Sequence, residues 1–295
     1  MPIVASRAEL ERLLEDDVPY GDLTTEALGI GTSAGLMRFA ARDPMVLALA
    51  EDAAAIIELA GCRVELDATS GTFLAPGAPI LKASGPAAAL LRSWKVAQTL
   101  IEIWSGVATS ARAIVEAARA VSPGIAVACT RKNVPGTKRF AVAAVKAGGA
   151  VMHRLGLSET VLVFPEHRAF VGRLPLAEMV EQLRRAAPEK RLVAEVTTFE
   201  AAVELAVAGF DVIQAEKFTP EDIAALVARM KAMASVWNRP IVAAAGGINA
   251  ANAAAYAQAG ADVIVTSSPY LARPCDVQVQ IKPLGVEERL ASEAA

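Results

Sequence analysis

Long uncharged stretches are missing from this 295-residue chain. Its hydrophobic fraction is 54%, but the apolarity is spread thinly and rich in alanine, so no stretch runs far enough without charge to span a bilayer. Residues 1–17 carry acids early and have no apolar core ahead of a small-residue cleavage site, which argues against a secretion signal. Cysteine is scarce. Cys62, Cys129 and Cys275 are odd in number, far apart and without metal-ligand spacing, so free thiols in a reducing cytoplasm are expected. Aromatics make up only 5% and the pI is near 5.6, which argues against a nucleic-acid surface built from a basic stripe and stacking rings. Histidine occurs twice, as His153 and His167, and no cluster of soft ligands points to a bound transition metal. The expectation is a soluble cytoplasmic protein that handles something small.

The chain has two textures. Residues 8–16 and 52–60 read as short amphipathic helices, with strand-like pieces at 35–41, 46–48, 63–66 and 79–84. That is the pattern of an α+β sandwich. Two further helical patterns, 89–102 and 109–121, are separated by Ser105-Gly106, a plausible stop signal. From Pro123 onward strands and helices alternate. The strands are expected at 125–129, 151–153, 161–164, 191–196, 212–215, 241–245 and 263–266, and the helices at 140–147, 177–187, 200–208, 220–233 and 250–259. Such alternation demands parallel strands joined by right-handed crossovers. The fold class is therefore α/β, an N-terminal sandwich domain followed by an open, incomplete TIM-like barrel, with a doubly wound sheet as the alternative. The divisions are 1–108, 109–274 and a tail, 275–295, packing back on the N-terminal domain.

Cations are concentrated in one place. Arg131, Lys132, Lys138 and Arg139, then Arg154 beside His153, crowd around turn-forming glycines in a protein whose net charge is only -3. Fixed cations this close repel, so a fold keeps them when an anion or acidic side chains sit between them. The apolar run 125–128 would deliver Arg131 and Lys132 to the C-terminal end of a strand, where parallel α/β folds bind ligands. The alternative is a solvated basic loop with a core histidine. Other strand ends add His153 and Arg154, Glu195, Glu216 and Lys217, then Gly246-Gly247-Ile248-Asn249, then Ser267-Ser268. The glycine pair lets the backbone approach a terminal phosphate, or else makes a tight turn with Asn249 as a helix cap. Glu195 and Glu216 would hold Mg²⁺ and stabilise an oxocarbenium-like charge, or merely neutralise the cations. His153 is expected to bind ligand rather than move protons, and His167 to lie on a loop.

In this order the motifs resemble the quinolinate phosphoribosyltransferase (nicotinate-nucleotide pyrophosphorylase) family. The resemblance begins with Glu15-Asp16-Asp17 and Gly21-Asp22-Leu23-Thr24-Thr25 and continues through Ser105-Gly106-Val107-Ala108-Thr109. It is strongest at Thr130-Arg131-Lys132 and His153-Arg154, and extends to Glu195 and Gly246-Gly247-Ile248. It implies a homodimer in which the N-terminal region of one subunit completes the other's site. It also implies transfer of phosphoribose from phosphoribosyl pyrophosphate to quinolinate with Mg²⁺, releasing CO₂ and pyrophosphate.

The departures bear on the acceptor. Lys95 stands where the family has an arginine supplied across the dimer, keeping the charge but losing the fork. Phe164-Pro165-Glu166-His167 replaces a segment that begins with a substrate-binding lysine, Val193 replaces the first of two glutamates, Glu216-Lys217 replaces Asp-Asn, and Ala245 replaces a serine. Phosphate-facing features survive better than acceptor-facing ones, which resembles the family's divergent molybdenum-utilisation branch.

The implied roles follow. Glu195, Glu216 and Lys132 are catalytic, with both glutamates on Mg²⁺. Lys95, Arg131, Lys132, Lys138, His153, Arg154 and Lys217 bind substrate. Gly246, Gly247, Ile248, Ser267 and Ser268 bind phosphate. Three readings stand: transfer to an acceptor other than quinolinate, a quinolinate enzyme in which Lys217 or Lys138 covers for the missing lysine, and a non-catalytic anion-binding barrel.

Overall fold

The computed structural model describes residues 2–233 and 239–285, so the last ten residues of the expected tail lie outside the described residues. The strands are β1 Ala34–Ala41, β2 Met45–Val46, β3 Arg63–Leu66, β4 Phe73–Leu74, β5 Pro79–Pro86, β6 Ala126–Cys129, β7 Val151–Met152, β8 Val161–Val163, β9 Leu192–Val196, β10 Val212–Glu216, β11 Ile241–Ala245, β12 Val263–Thr266 and β13 Val277–Pro283. The helices are α1 Arg7–Asp17, α2 Leu23–Ala27, α3 Ala50–Leu59, α4 Ala87–Arg119, α5 Lys138–Ala147, α6 Pro165–Val171, α7 Leu176–Ala186, α8 Phe199–Ala208, α9 Pro220–Met233 and α10 Ala253–Gln258. None of them is long and apolar enough to cross a membrane.

Two compact units emerge. The first comprises Met1–Thr109, Pro135–Gly149 and Ala272–Ala295. Its sheet is antiparallel, ordered β13-β1-β5-β3, so the C-terminal strand lies along the first one. Helix α1 starts from a capping box, in which Ser6 accepts from the Glu9 N–H and Glu9 accepts from the Ser6 N–H. Segment 135–149, read from the sequence as part of the barrel, groups with this first unit. There Phe140 packs 6.0 Å from Trp104 and Arg139 pairs with Glu9 at 3.1 Å.

The stop expected at Ser105-Gly106 does not occur. Helix α4 runs unbroken for 33 residues. Ser105 is buried and its hydroxyl accepts the Ala48 N–H at 3.0 Å, while a Cβ on Gly106 would lie 2.2 Å from the Arg273 carbonyl oxygen. Both residues are small because backbone from elsewhere in the unit presses against the helix there. A helix end and a close approach leave the same mark in a sequence.

The second unit, Ser110–Val134 and Ala150–Leu271, holds a seven-stranded parallel sheet ordered β7-β6-β12-β11-β10-β9-β8. Strands β7 and β8 are neighbours in sequence yet occupy opposite edges, so the sheet is an open half-barrel. The central strands are buried almost throughout, as two-sided parallel strands must be: only Ile241 of β11 is even partly exposed. Helices α7, α8 and α9 pack on this sheet.

Candidate active site

Every strand of the parallel sheet points its C-terminal end the same way, and those ends line one cavity of about 690 Å³. Arg131 and Lys132 follow β6, His153 and Arg154 follow β7, and Phe164 and Glu166 follow β8. Glu195 comes from β9, Gln214, Glu216 and Lys217 from β10, Gly246 and Gly247 from the end of β11, and Ser267 from the end of β12. Sequence-distant charges thus meet because a parallel sheet aligns its strand ends.

The cations Arg131, Lys132 and Arg154 come from the ends of β6 and β7. Arg154 is 5% exposed, with its guanidinium carbon 5.6 Å from the centroid of the Phe164 ring. Burial, followed by the Arg131 charge, holds its pKa below the ordinary guanidinium value. His153 is pulled down chiefly by burial and then by Arg154, so at neutral pH it is a neutral hydrogen-bonding group.

The carboxylates Glu195 and Glu216 come from β9 and β10, next to the cation Lys217. Glu195 accepts the Gln214 side-chain N–H at 2.7 Å, and its backbone carbonyl accepts from Arg168 at 3.0 Å. Burial raises the Glu195 pKa, and repulsion from Glu216 raises it further. The folded state therefore holds the Glu195 proton more tightly than the unfolded chain does. That stabilisation is complete below the ordinary carboxylate pKa and is lost as pH rises through the raised one. Glu195→Gln, which never ionises, is expected to gain melting temperature over the native protein as pH rises from about 4 to about 7. Parallel melting curves check this; a difference that is flat or falls with pH would refute it.

Beyond Glu216 the backbone turns sharply. Lys217 has φ 62° and donates its N–H to the Ala245 carbonyl, while Gly246 has φ 90°. A Cβ on Gly246 would lie 2.8 Å from the Lys217 nitrogen and 2.9 Å from a Glu216 carboxylate oxygen, so only glycine lets β10 and β11 end side by side. Gly247 (φ 73°) faces open space.

Several expectations are corrected. Ile248 is buried, its carbonyl accepting the Thr266 hydroxyl, and Ser268 opens the one-turn helix Ser268–Leu271; neither lines the cavity. Asn249 caps no helix. It turns the chain by accepting the Ala251 N–H, and α10 begins only at Ala253. His167 sits in α6 rather than on a loop, stacked on Phe164 and accepting that residue's N–H. Lys95 and Lys138 belong to the first unit and are not among the lining residues; Lys95 donates to Gln98 and lies 3.9 Å over the Trp94 ring. The cysteines are free and buried, and burial pushes the Cys129 thiol up to about 12, which keeps it un-ionised.

The sequence reading missed Gln214 and Glu166 as lining residues. Period-two alternation along β10 puts Gln214 on the same face as Glu216, a signal that was available. Glu166 gave none, because its position follows from where α6 begins.

Comparison with known proteins agrees with this geometry. Residues 22–105 match the quinolinate phosphoribosyl transferase N-terminal domain, and residues 107–280 match its C-terminal domain. A Rhodobacter capsulatus protein named as the pyrophosphorylase ModD is 49% identical over 83% of this chain and 93% of its own. The nicotinate-nucleotide pyrophosphorylase (carboxylating) of Mycobacterium leprae is 30% identical over 90% of this chain and 92% of its own. The crystal structure of NadC from Streptococcus pyogenes superposes with a TM-score of 0.84 at 25% identity, covering 94% and 96% of the two chains. The chain belongs to the quinolinate phosphoribosyl transferase family and is a ModD-like pyrophosphorylase within it, an enzyme of pentosyl transfer.

Proposed function

We propose that the enzyme transfers phosphoribose from phosphoribosyl pyrophosphate to an anionic acceptor other than quinolinate. The observation that carries this reading is the asymmetry of the cavity. Both carboxylates and the cation cluster are present, but the apolar ring of Phe164, where the resemblance implies an acceptor-binding lysine, lines the cavity against Arg154 and His167. A dicarboxylate would lose a charge-assisted hydrogen bond there, costing about 1.5–3 kcal/mol.

Arg131, Lys132, His153 and Arg154 hold the acceptor and the pyrophosphate, and Gly246, Gly247 and Ser267 hold the 5′-phosphate. Glu195 and Glu216 face the charge that develops at the ribosyl carbon. Transfer of this kind needs positioning and electrostatics rather than a protein nucleophile. The donor set suits Mg²⁺: the carboxylates of Glu195 and Glu216 come from the adjacent strands β9 and β10 and line the same cavity. That is the sparse protein contribution this ion takes when substrate phosphates and water complete its shell. When bound, it supplies charge neutralisation at the pyrophosphate.

The reading includes a cytoplasmic homodimer in which Lys95 reaches the partner's site, and a part in molybdenum utilisation exercised through a small-molecule product. A second reading, a quinolinate enzyme, is favoured by one observation: Lys217 lines the cavity and offers a substitute cation.

Calorimetric titration of phosphoribosyl pyrophosphate with Mg²⁺ is expected to give saturable binding that Arg131→Ala abolishes while leaving the melting temperature unchanged. Absence of native binding at millimolar donor would leave a non-catalytic anion-binding barrel. Formation of nicotinate mononucleotide on adding quinolinate would move the assignment to the second reading.

A further inference from the structure

Gln214 presents an anomaly. It is 5% exposed on β10, between β9 and β11 in the sheet, and its side-chain oxygen is fully buried without a hydrogen-bond partner among the described residues. A buried acceptor left unmade is unfavourable, and native structures tolerate few of them. The amide makes one bond, from its nitrogen to Glu195 at 2.7 Å. Its orientation is dictated by that bond, because an ionised carboxylate only accepts and the amide must turn its N–H end toward it. Register makes the pairing unavoidable: Gln214 lies directly opposite Glu195 across the parallel β9–β10 ladder.

Two influences compete for the Glu195 carboxylate. Lys132 lines the same cavity and attracts it, while Glu216 and Glu166, also lining the cavity, repel it. A carboxylate with no tether is free to be drawn toward Lys132, which would neutralise charge a cation site needs. We infer that Gln214 is a positioning residue that tethers one oxygen of Glu195 to the cavity floor, so that the other stays beside Glu216 and the pair remains available to a divalent cation. The orphaned carbonyl fits this role, since the amide is retained for the one bond it donates. The inference rests on the transferase reading and deepens it by naming what keeps the cation site open.

The test is Gln214→Met, close in volume and without polar atoms. The melting temperature is expected to hold or rise, because the unpaired carbonyl is gone. A crystal structure of the ligand-free variant is expected to show Glu195 turned onto Lys132. Mn²⁺ affinity with phosphoribosyl pyrophosphate, followed by electron paramagnetic resonance, is expected to fall about tenfold or more, the usual consequence of losing a hydrogen bond that orients a metal ligand. In the Glu195→Gln background the same substitution should cost little further affinity, because Gln214 acts through Glu195. An unmoved Glu195 in the variant, or unchanged Mn²⁺ affinity, would overturn the inference alone. Failure of the native protein to bind Mn²⁺ with the donor would overturn the transferase reading and this inference with it.

Discussion

Replacing Arg154 by methionine is expected to raise the melting temperature and, in the same variant, to weaken donor binding severely. Arg154 is nearly inaccessible, sits beside a second guanidinium, and forms no ion pair among the described residues. Its neighbour is the Phe164 ring, which offers a weak cation–π contact in place of a carboxylate. Burying a charge without a partner costs several kcal/mol, and a methionine of similar length fills the volume without that penalty. Recovery of even about 1 kcal/mol would raise the melting point of a chain this size by roughly 1.5–2 °C. The lost interaction with a phosphate or carboxylate, about 1.5–3 kcal/mol, should weaken donor affinity by about tenfold to a hundredfold. Thermal denaturation and calorimetry on one protein preparation check both halves. A variant that melts lower and binds the donor normally would show that Arg154 serves the fold and not the ligand.

Gly246→Ala is expected to damage both fold and site. The added carbon would meet the Lys217 backbone nitrogen and a Glu216 oxygen, each closer than 3.0 Å, at a residue whose φ of 90° already disfavours a side chain. Backbone has no rotamer to escape into, so the turn after β10 must shift, and Glu216 and Lys217 with it. Overpacking combined with a strained left-handed position should cost about 2–4 kcal/mol, with donor binding reduced even at temperatures where the variant stays folded. Gly247→Ala is the control. It carries only the conformational penalty, since nothing lies within 4 Å of its Cβ position, and should lose about 1 kcal/mol. Equal effects at the two positions would show that crowding plays no part.

What could be read beforehand was whatever rests on periodicity. Strands β11 and β12 and helix α9 fall where the apolar pattern put them, because a two-sided buried strand or a long amphipathic helix announces itself over several residues. The charged strand ends followed from that, since a parallel sheet brings its C-terminal ends together whatever the loops do. Features created by contact across the chain were hidden. Ser105-Gly106 looked like a stop and is a place where backbone presses on a helix; Asn249 looked like a cap and is part of a turn. The two-residue strand β4 and the one-turn helix at Ser268 depend on partners that no local window contains. Gln214 lies in plain view on a strand, but its unmade hydrogen bond depends on its neighbours across the sheet.

The antiparallel sheet of the first unit joins strands far apart in the chain: β1 at residues 34–41 pairs with β13 at 277–283. During synthesis, all seven strands of the parallel sheet are made before residue 277 exists. β1 therefore waits for β13 until after those strands are made, so this sheet cannot be completed before the parallel one is synthesised. Pairing over more than 200 residues also gives that sheet a high contact order, so its closure should be a slow step that follows the more local βα pairings.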